Sequence, residues 1–177
     1  MCMIETSPQI RTRRLMLRDP RPSDAASLAT WCNDYDLVRM TSRMPWPYEA
    51  RHAEEFIETA LEADRRRDVR FVIEQEDEGV VGVLGFSPSE DERIEVGYWI
   101  GRPWWGRGLA TEALTGALEW AGRDWRQPFV TAGHFADNPA SGAVLCKAGF
   151  LYTGDVQARF SKARGAKAPT RMMVWLP

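Results

Sequence analysis

Residues 94–121, IEVGYWIGRPWWGRGLATEALTGALEWA, decide how the chain is read, because a strand, a glycine-punctuated turn and a helix follow one another without a gap. Ile94, Val96, Tyr98 and Ile100 alternate with Glu95, Gly97 and Trp99, the period of a β-strand, and the interior glycine suggests a bulge. Past the turn, Ala110, Ala113, Leu114, Ala117, Leu118 and Ala121 recur at helical spacing. Glu112, Thr115 and Glu119 take the opposite face, and Gly122 is read as the stop. Gly106 and Gly108 stand just before that helix. A helix start offers unpaired amides and the positive end of a dipole, and glycine lets backbone approach an anion closely. The stretch therefore points to a phosphate-bearing ligand. A G-x-G turn before a helix is also a common tight turn, so its surroundings must carry the reading.

Composition narrows those surroundings. With 44% of its 177 residues hydrophobic, the chain has material for one real core, and residues 1–177 read as a single domain. Basic and acidic residues number 23 and 25, for a net charge of −2, which leaves no nucleic-acid footprint. The nearest thing to a basic run, residues 65–67, follows a glutamate-rich helical stretch and reads as a solvated helix end. Cys2, Cys32 and Cys146 lack metal-ligand spacing and leave one over, so a reduced compartment is expected. No apolar run is long enough to span a bilayer, and the N-terminus lacks a basic segment leading into an apolar one. A cytoplasmic protein is expected.

Outward from the central stretch, residues 14–18 read as a first strand, and Ser23 or Asp24 caps a helix to about Cys32. A loop with Met44, Pro45, Trp46, Pro47 and Tyr48 leads to a second helix bearing Ala53, Phe56, Ile57, Ala60 and Leu61 on one face. Residues 71–74 and 80–86 form a hairpin around Asp77, Glu78 and Gly79, and a turn over 87–92 enters the central strand. Residues 129–135 read as a strand, 138–148 as a helix closed by Gly149, and 152–160 and 172–176 as final strands around a flexible segment, 161–170. The order is that of an α+β fold with one mixed sheet.

In this arrangement the chain resembles the GNAT superfamily of acyl-CoA N-acyltransferases, and within it the RimJ/RimL-type ribosomal-protein N-terminal acetyltransferases. The resemblance covers nearly the whole chain. Its most specific pieces are VGYWIGRPWWGRGLATEAL, DNPASGAVLCKAGF, RRLMLRDPRPSDAASL and the MPWPY loop. It implies a twisted sheet of about seven strands, splayed between the fourth and fifth and flanked by about four helices. Acetyl-CoA is the implied co-substrate, with no metal.

By the same resemblance, the turn from Trp105 through Gly106 holds the pyrophosphate, with amides of Arg107, Gly108, Leu109, Ala110 and Thr111 as donors. Relatives carry Gln or Arg where Trp105 stands, which leaves Arg107 as an ionic supplement while the amides do most of the binding. The pantetheine arm is expected along the open edges of the strands around 97–100 and 130–134, bringing the thioester near Tyr98, Trp99 and Ile100. An unpaired backbone amide there would stabilise the charge that develops on attack. Asn138 is expected to touch the pantetheine arm, although an N-cap before Pro139 explains it equally. Ser141 stands where this branch has a serine near the sulfur, and is the candidate proton donor. Many relatives outside the branch place a tyrosine acid where this chain has Cys146, here read as a buried, inert thiol.

Glu95 is the candidate base, directly or through a water. Its plainer reading is an exposed strand glutamate paired with an arginine such as Arg93. The amine chemistry sets how much such a base must do: a lysine amine has a pKa of about 10.4, an α-amine about 8, so an α-amine needs the weaker base. The acceptor pocket is expected between Trp46, Tyr48, Trp99, Trp104, His134, Arg159 and Phe160, with His134 read equally as a hydrogen-bonded structural histidine and His52 as solvated. The expected partner is an amine acceptor, with neither nucleic acid nor membrane, in a monomer or homodimer. A protein N-terminus, amino acid, polyamine or antibiotic all fit as acceptor. A non-catalytic acyl-CoA-binding module, or a protein using the turn for another nucleotide, are the alternatives.

Overall fold

The computed structural model describes residues 8–177, so Cys2 lies outside the described residues. Eight strands form one sheet in the order β1-β2-β3-β4-β5-β6-β8-β7. In chain order they are β1 (Ile10–Arg11), β2 (Leu15–Arg18), β3 (Val69–Gln75), β4 (Gly79–Pro88), β5 (Ile94–Ile100), β6 (Val130–Phe135), β7 (Leu151–Ser161) and β8 (Ala166–Trp175). Five α-helices flank them: α1 (Ala25–Cys32), α2 (Tyr35–Val38), α3 (Ala50–Glu62), α4 (Leu109–Arg123) and α5 (Pro139–Lys147). Among the described residues no helix is long and apolar enough to cross a membrane.

Alternation along the strands sends side chains to two different layers. Phe71, Ile73, Leu84, Phe86, Val96 and Ile100 pack under the apolar stripe of α4, made by Leu109, Ala113, Leu114, Ala117, Leu118 and Ala121. Val72, Val80 and Val83 face the other way, against Leu28 of α1 and Ala53 and Ile57 of α3. The sheet is thus covered on both faces along β3 and β4, while β7 at its edge is exposed. Its ladder is antiparallel except where β5 meets β6, a parallel pair joined only at Glu95 and Thr131. Thr131 Oγ1 reinforces that bridge by donating to the Ile94 carbonyl at 3.0 Å. Beyond it the two strands diverge, and the sheet opens into a cleft.

Several details differ from the sequence reading, each for a physical reason. Gly97 makes no bulge: the β4–β5 ladder runs unbroken past it, and the register shift falls instead between β3 and β4, at Ile73 and Glu74. Helix α4 runs one residue past Gly122, to Arg123, and the glycine serves packing instead: a Cβ there would lie 3.1 Å from a ring carbon of Trp175. Residues 161–170 are not a loose segment. Ser161 Oγ donates to the Thr41 carbonyl (2.9 Å), the Lys162 amide to the Ser42 carbonyl (3.0 Å) and Arg164 Nε to the Arg39 carbonyl (2.6 Å), and β8 begins at Ala166.

Two short elements, β1 and α2, have too few residues to show a period. Helix α2 is marked by Asp34, whose Oδ1 accepts from the Asp36 amide at 3.0 Å. Before α1 a 3-10 turn, Pro22–Asp24, occupies the expected cap. Asp24 points instead to Arg18, in a buried pair at 2.9 Å. The run at residues 65–67 lies just past α3, with Arg65 paired to Asp19 and Arg67 to Glu92.

Candidate active site

The divergence of β5 from β6 opens a cleft of about 1220 Å³ that runs from the start of α4, past β5 and α5, to the loop before α3. At one end, Gly106 (φ 73°) and Gly108 (φ 74°) hold left-handed conformations that a side chain resists. They turn the chain so that α4 begins with its amides facing the cleft. The first backbone bond of that turn runs from the Glu112 amide to the Gly108 carbonyl at 3.1 Å. The amides of Leu109, Ala110 and Thr111 therefore have no intrahelical partner, the arrangement that receives an anion.

The charges around this cradle are arranged differently from the sequence reading. Arg107 does not line the cleft, and its carbonyl accepts from Arg14 Nη1 at 3.0 Å. Arg14 lies 93 residues away in sequence, so nothing local marks it. Its Nε also donates to Glu112 at 2.6 Å, and Thr12 Oγ1 reaches the same carboxylate at 2.7 Å. Glu112 is therefore not a solvent-face residue. Partial burial opposes its ionisation, but the bonds from Thr12 and Arg14 outweigh that and hold its carboxyl below the usual range. Trp105 is fixed by its indole N–H donating to the Ile100 carbonyl at 2.6 Å. Arg102 stacks over the Trp105 ring, 4.8 Å from its centre, and is itself neutralised by Asp34 and Asp36. The unpartnered groups at this turn are thus backbone amides.

Further along, the strand's two faces do different things. Tyr98 points toward α5, its hydroxyl 2.9 Å from Ser141 Oγ. Burial pushes the Tyr98 phenol up to about 12, against the lowering effect of Ser141. Asn138 caps α5 by accepting from the Ser141 amide at 3.2 Å, and both residues line the cleft. On the opposite face stand Glu95, Gly97 and Trp99. The Glu95 oxygens lie 2.6 and 2.8 Å from Arg159 Nη1, so its partner is Arg159 rather than Arg93, which pairs with Asp91. Arg159 reaches from β7 across Gly133, where a Cβ would stand only 3.5 Å from its Nη1.

Of the expected acceptor residues, Tyr48, Trp99 and His134 line the cleft, while Trp46 and Phe160 do not. Trp46 packs edge-on against Tyr35, and Phe160 is exposed on β7. Trp104 also lines the cleft, although it is 4% exposed and packs edge-on against Trp31 in the core. Both ring nitrogens of His134 are occupied: a carbonyl can only accept, so Nδ1–H donates to Phe135 O (2.9 Å) and Nε2 accepts from Tyr152 (3.0 Å). His52 is half-buried rather than free in solvent. Its Nδ1 accepts from the Glu49 amide at 2.9 Å, and its ring lies 5.4 Å from that of Tyr48 in the cleft wall. Cys146 is exposed and outside the cleft, whereas Cys32 is the buried thiol. Among the described residues no cluster of His, Cys, Asp and Glu is arranged to hold a metal.

Comparison with known proteins agrees with this geometry. Residues 14–151 match the family described as Acetyltransferase (GNAT) domain. The uncharacterized N-acetyltransferase YoaA of Bacillus subtilis is 30% identical over 157 residues, 83% of this chain and 85% of its own length. The uncharacterized N-acetyltransferase p20 of Bacillus licheniformis is 31% identical over 114 residues, 62% of this chain, and the match spans 63% of p20. Among solved structures, RimL, a ribosomal L7/L12 alpha-N-protein acetyltransferase in complex with coenzyme A, superposes with a TM-score of 0.81. That match covers 96% of this chain and 98% of RimL at 18% identity, a likeness of fold.

Proposed function

This chain belongs to the GNAT acetyltransferase family, and on that premise we propose that it transfers the acetyl group of acetyl-CoA to a primary amine, by direct attack in a ternary complex. The observation that carries the reading is the cradle of unpartnered α4 amides at the mouth of the β5–β6 cleft. The residues present fit the co-substrate: glycines at the turn, free amides for the pyrophosphate, and an open strand edge beside Tyr98, Trp99 and Ile100. When bound, acetyl-CoA supplies an acyl thioester whose carbonyl is open to an amine and whose thiol can leave.

Everything else falls to the protein. Leu109, Ala110 and Thr111, with Gly108, hold the phosphates; the free edge of β5 aligns the pantetheine; and the two faces of β5 divide the acceptor from the leaving sulfur. Glu95, held in place by Arg159, orients the incoming amine and takes its proton directly or through a water. Positioning supplies most of the rate.

The acceptor we favour is a protein N-terminal α-amine. Its pKa of about 8 leaves a useful fraction neutral near pH 7, whereas a lysine or polyamine amine, at about 10.4, demands a stronger base. Glu95, with both oxygens engaged by Arg159, suits the lighter task. RimL, named for an α-N-protein acceptor, shares the fold.

Calorimetry with acetyl-CoA, followed by free-thiol release on a panel of N-terminal peptides, amino acids and polyamines, tests the proposal. Binding with thiol release on peptides supports it whole, and release only with small amines moves the acceptor to a small molecule. Tight binding without turnover makes the chain a sensing module. No binding removes the cofactor assignment. Within the transferase reading, Glu95→Gln lowers turnover and leaves acetyl-CoA affinity unchanged; equal turnover across pH removes Glu95 from the mechanism.

A further inference from the structure

Two hydroxyl groups, one from each side of the splay, meet across the cleft. Tyr98 comes from β5, and its oxygen lies 2.9 Å from Ser141 Oγ and 3.2 Å from the Ser141 carbonyl oxygen. Ser141 comes from the first turn of α5, where Pro139 and the Asn138 cap fix the backbone. On this helix Cys146 is exposed and does not line the cleft. The phenol in this site comes from β5.

Within the acyl transfer proposed above, we propose that Tyr98 is a positioning residue that donates its proton to Ser141 Oγ and so turns the serine's own proton toward the sulfur of bound coenzyme A. A phenol that donates to the carbonyl instead would draw the serine proton back onto itself. Donation to Oγ leaves Ser141 one free proton, and the cleft is where that proton points. The pair acts on the leaving side, on the face of β5 away from Glu95.

The chemistry is hydrogen bonding rather than proton transfer. When the acyl carbon–sulfur bond breaks, its electron pair stays on sulfur as a thiolate, and the proton lost by the amine goes to Glu95 or water. Tyr98 stays protonated throughout, because its phenol lies at about 12 while a thiol ionises near 8.5. Nearby titratable groups are otherwise engaged. His134 and Tyr152 bond one another at 3.0 Å, Asp137 pairs with Arg164 at 2.8 Å, and Glu95 is held by Arg159. Lys147, at the far end of α5, is the remaining charged group of that helix on the cleft wall.

Binding of free coenzyme A provides a test independent of turnover. The thiolate absorbance of the complex is followed against pH, with the desulfo-CoA complex as the blank, in the wild type, Tyr98→Phe, Ser141→Ala and the double variant. The wild type should ionise bound thiol at lower pH than free coenzyme A. Tyr98→Phe should move that titration upward by about one pH unit, a tenfold change in ionisation for one lost hydrogen bond. Adding Tyr98→Phe to Ser141→Ala should move it no further, since the phenol acts only through the serine. Identical titrations in wild type and Tyr98→Phe, or shifts that add, overturn the inference. Should Tyr98→Phe fail to fold, a wild-type titration left unchanged by Ser141→Ala overturns it from the other side of the contact. A wild type that binds no coenzyme A removes the transferase reading and this one together. One that binds and turns over, with its titration indifferent to Tyr98, removes this one alone.

Discussion

Gly108 can be tested against a twin elsewhere in the chain. Gly108 and Gly79 both have φ of 74°, one at the start of α4 and the other in the β3–β4 turn. A Cβ at Gly79 meets nothing within 4 Å, and one at Gly108 meets only Arg14 Nη2 at 3.7 Å, an ordinary contact. Alanine at either position therefore imposes backbone strain and almost nothing else, about 1 kcal/mol. In a domain of this size that lowers the melting temperature by about 2–4 °C. The two variants should then part company. The open space at 108 lets the backbone relieve that strain by turning toward negative φ, which swings the amides of Gly108 and Leu109 away from the phosphates they would hold. Losing two charge-assisted bonds, about 1.5 kcal/mol each, weakens acetyl-CoA binding by about 100-fold. Differential scanning calorimetry and isothermal titration on both variants give the two numbers. A Gly108→Ala protein that melts lower yet binds acetyl-CoA with wild-type affinity refutes the amide cradle. Loss of affinity in Gly79→Ala as well would show that the effect is general softening of the fold.

Arg159→Met removes the guanidinium that holds both Glu95 oxygens, at 2.6 and 2.8 Å, and leaves Glu95 unheld. Turnover should fall about tenfold with acetyl-CoA affinity retained; steady-state kinetics beside calorimetry decide it. Asp24→Asn breaks the buried pair with Arg18, which keeps Glu74 at 2.6 Å, and should cost about 1.5–3 kcal/mol at neutral pH. Burial opposes ionisation of Asp24, but its bonds to Arg18 and the Arg21 amide prevail and hold the carboxyl below the usual range. The wild type's advantage should thus be complete above the unfolded pKa, about 3.9, and vanish as pH falls through the lower folded value, read from denaturant melts at stepped pH. In a Cys2→Ala background a thiol reagent should modify Cys146 at once and Cys32 only after unfolding, since burial raises the Cys32 thiol. Equal reactivity of the two thiols in the native protein contradicts that placement.

What the sequence disclosed follows the range of the forces involved. The stripe on α4, the alternation in β5 and the Asn138–Pro139 cap are signals spread over a few neighbouring residues, and they appear in the structure as read. Gly122 misled because a helix-ending glycine and one that admits Trp175 look alike until Trp175 is placed. Residues 161–170 looked loose because their anchors, the carbonyls of Arg39, Thr41 and Ser42, belong to a distant loop. The same limit governed the cleft. Gly106, Gly108, Tyr98 and Ser141 could be nominated from local pattern, whereas Arg14 beside the cradle, Arg159 on Glu95 and the burial state of the two cysteines are products of long-range packing.

The single bridge between β5 and β6 divides the sheet into two leaves, β1 to β5 and β6 to β8, that share almost no backbone hydrogen bonding. What sets their spacing is the apolar wedge beneath them, where Leu114 and Leu118 of α4 belong to one core with Val96 and Ile100 on one side and Val130 and Met173 on the other. Cleft width is therefore a quantity tuned by core volume. A methylene gained or lost on the buried face of α4, far from the cleft itself, should be felt as a change in the angle between the leaves.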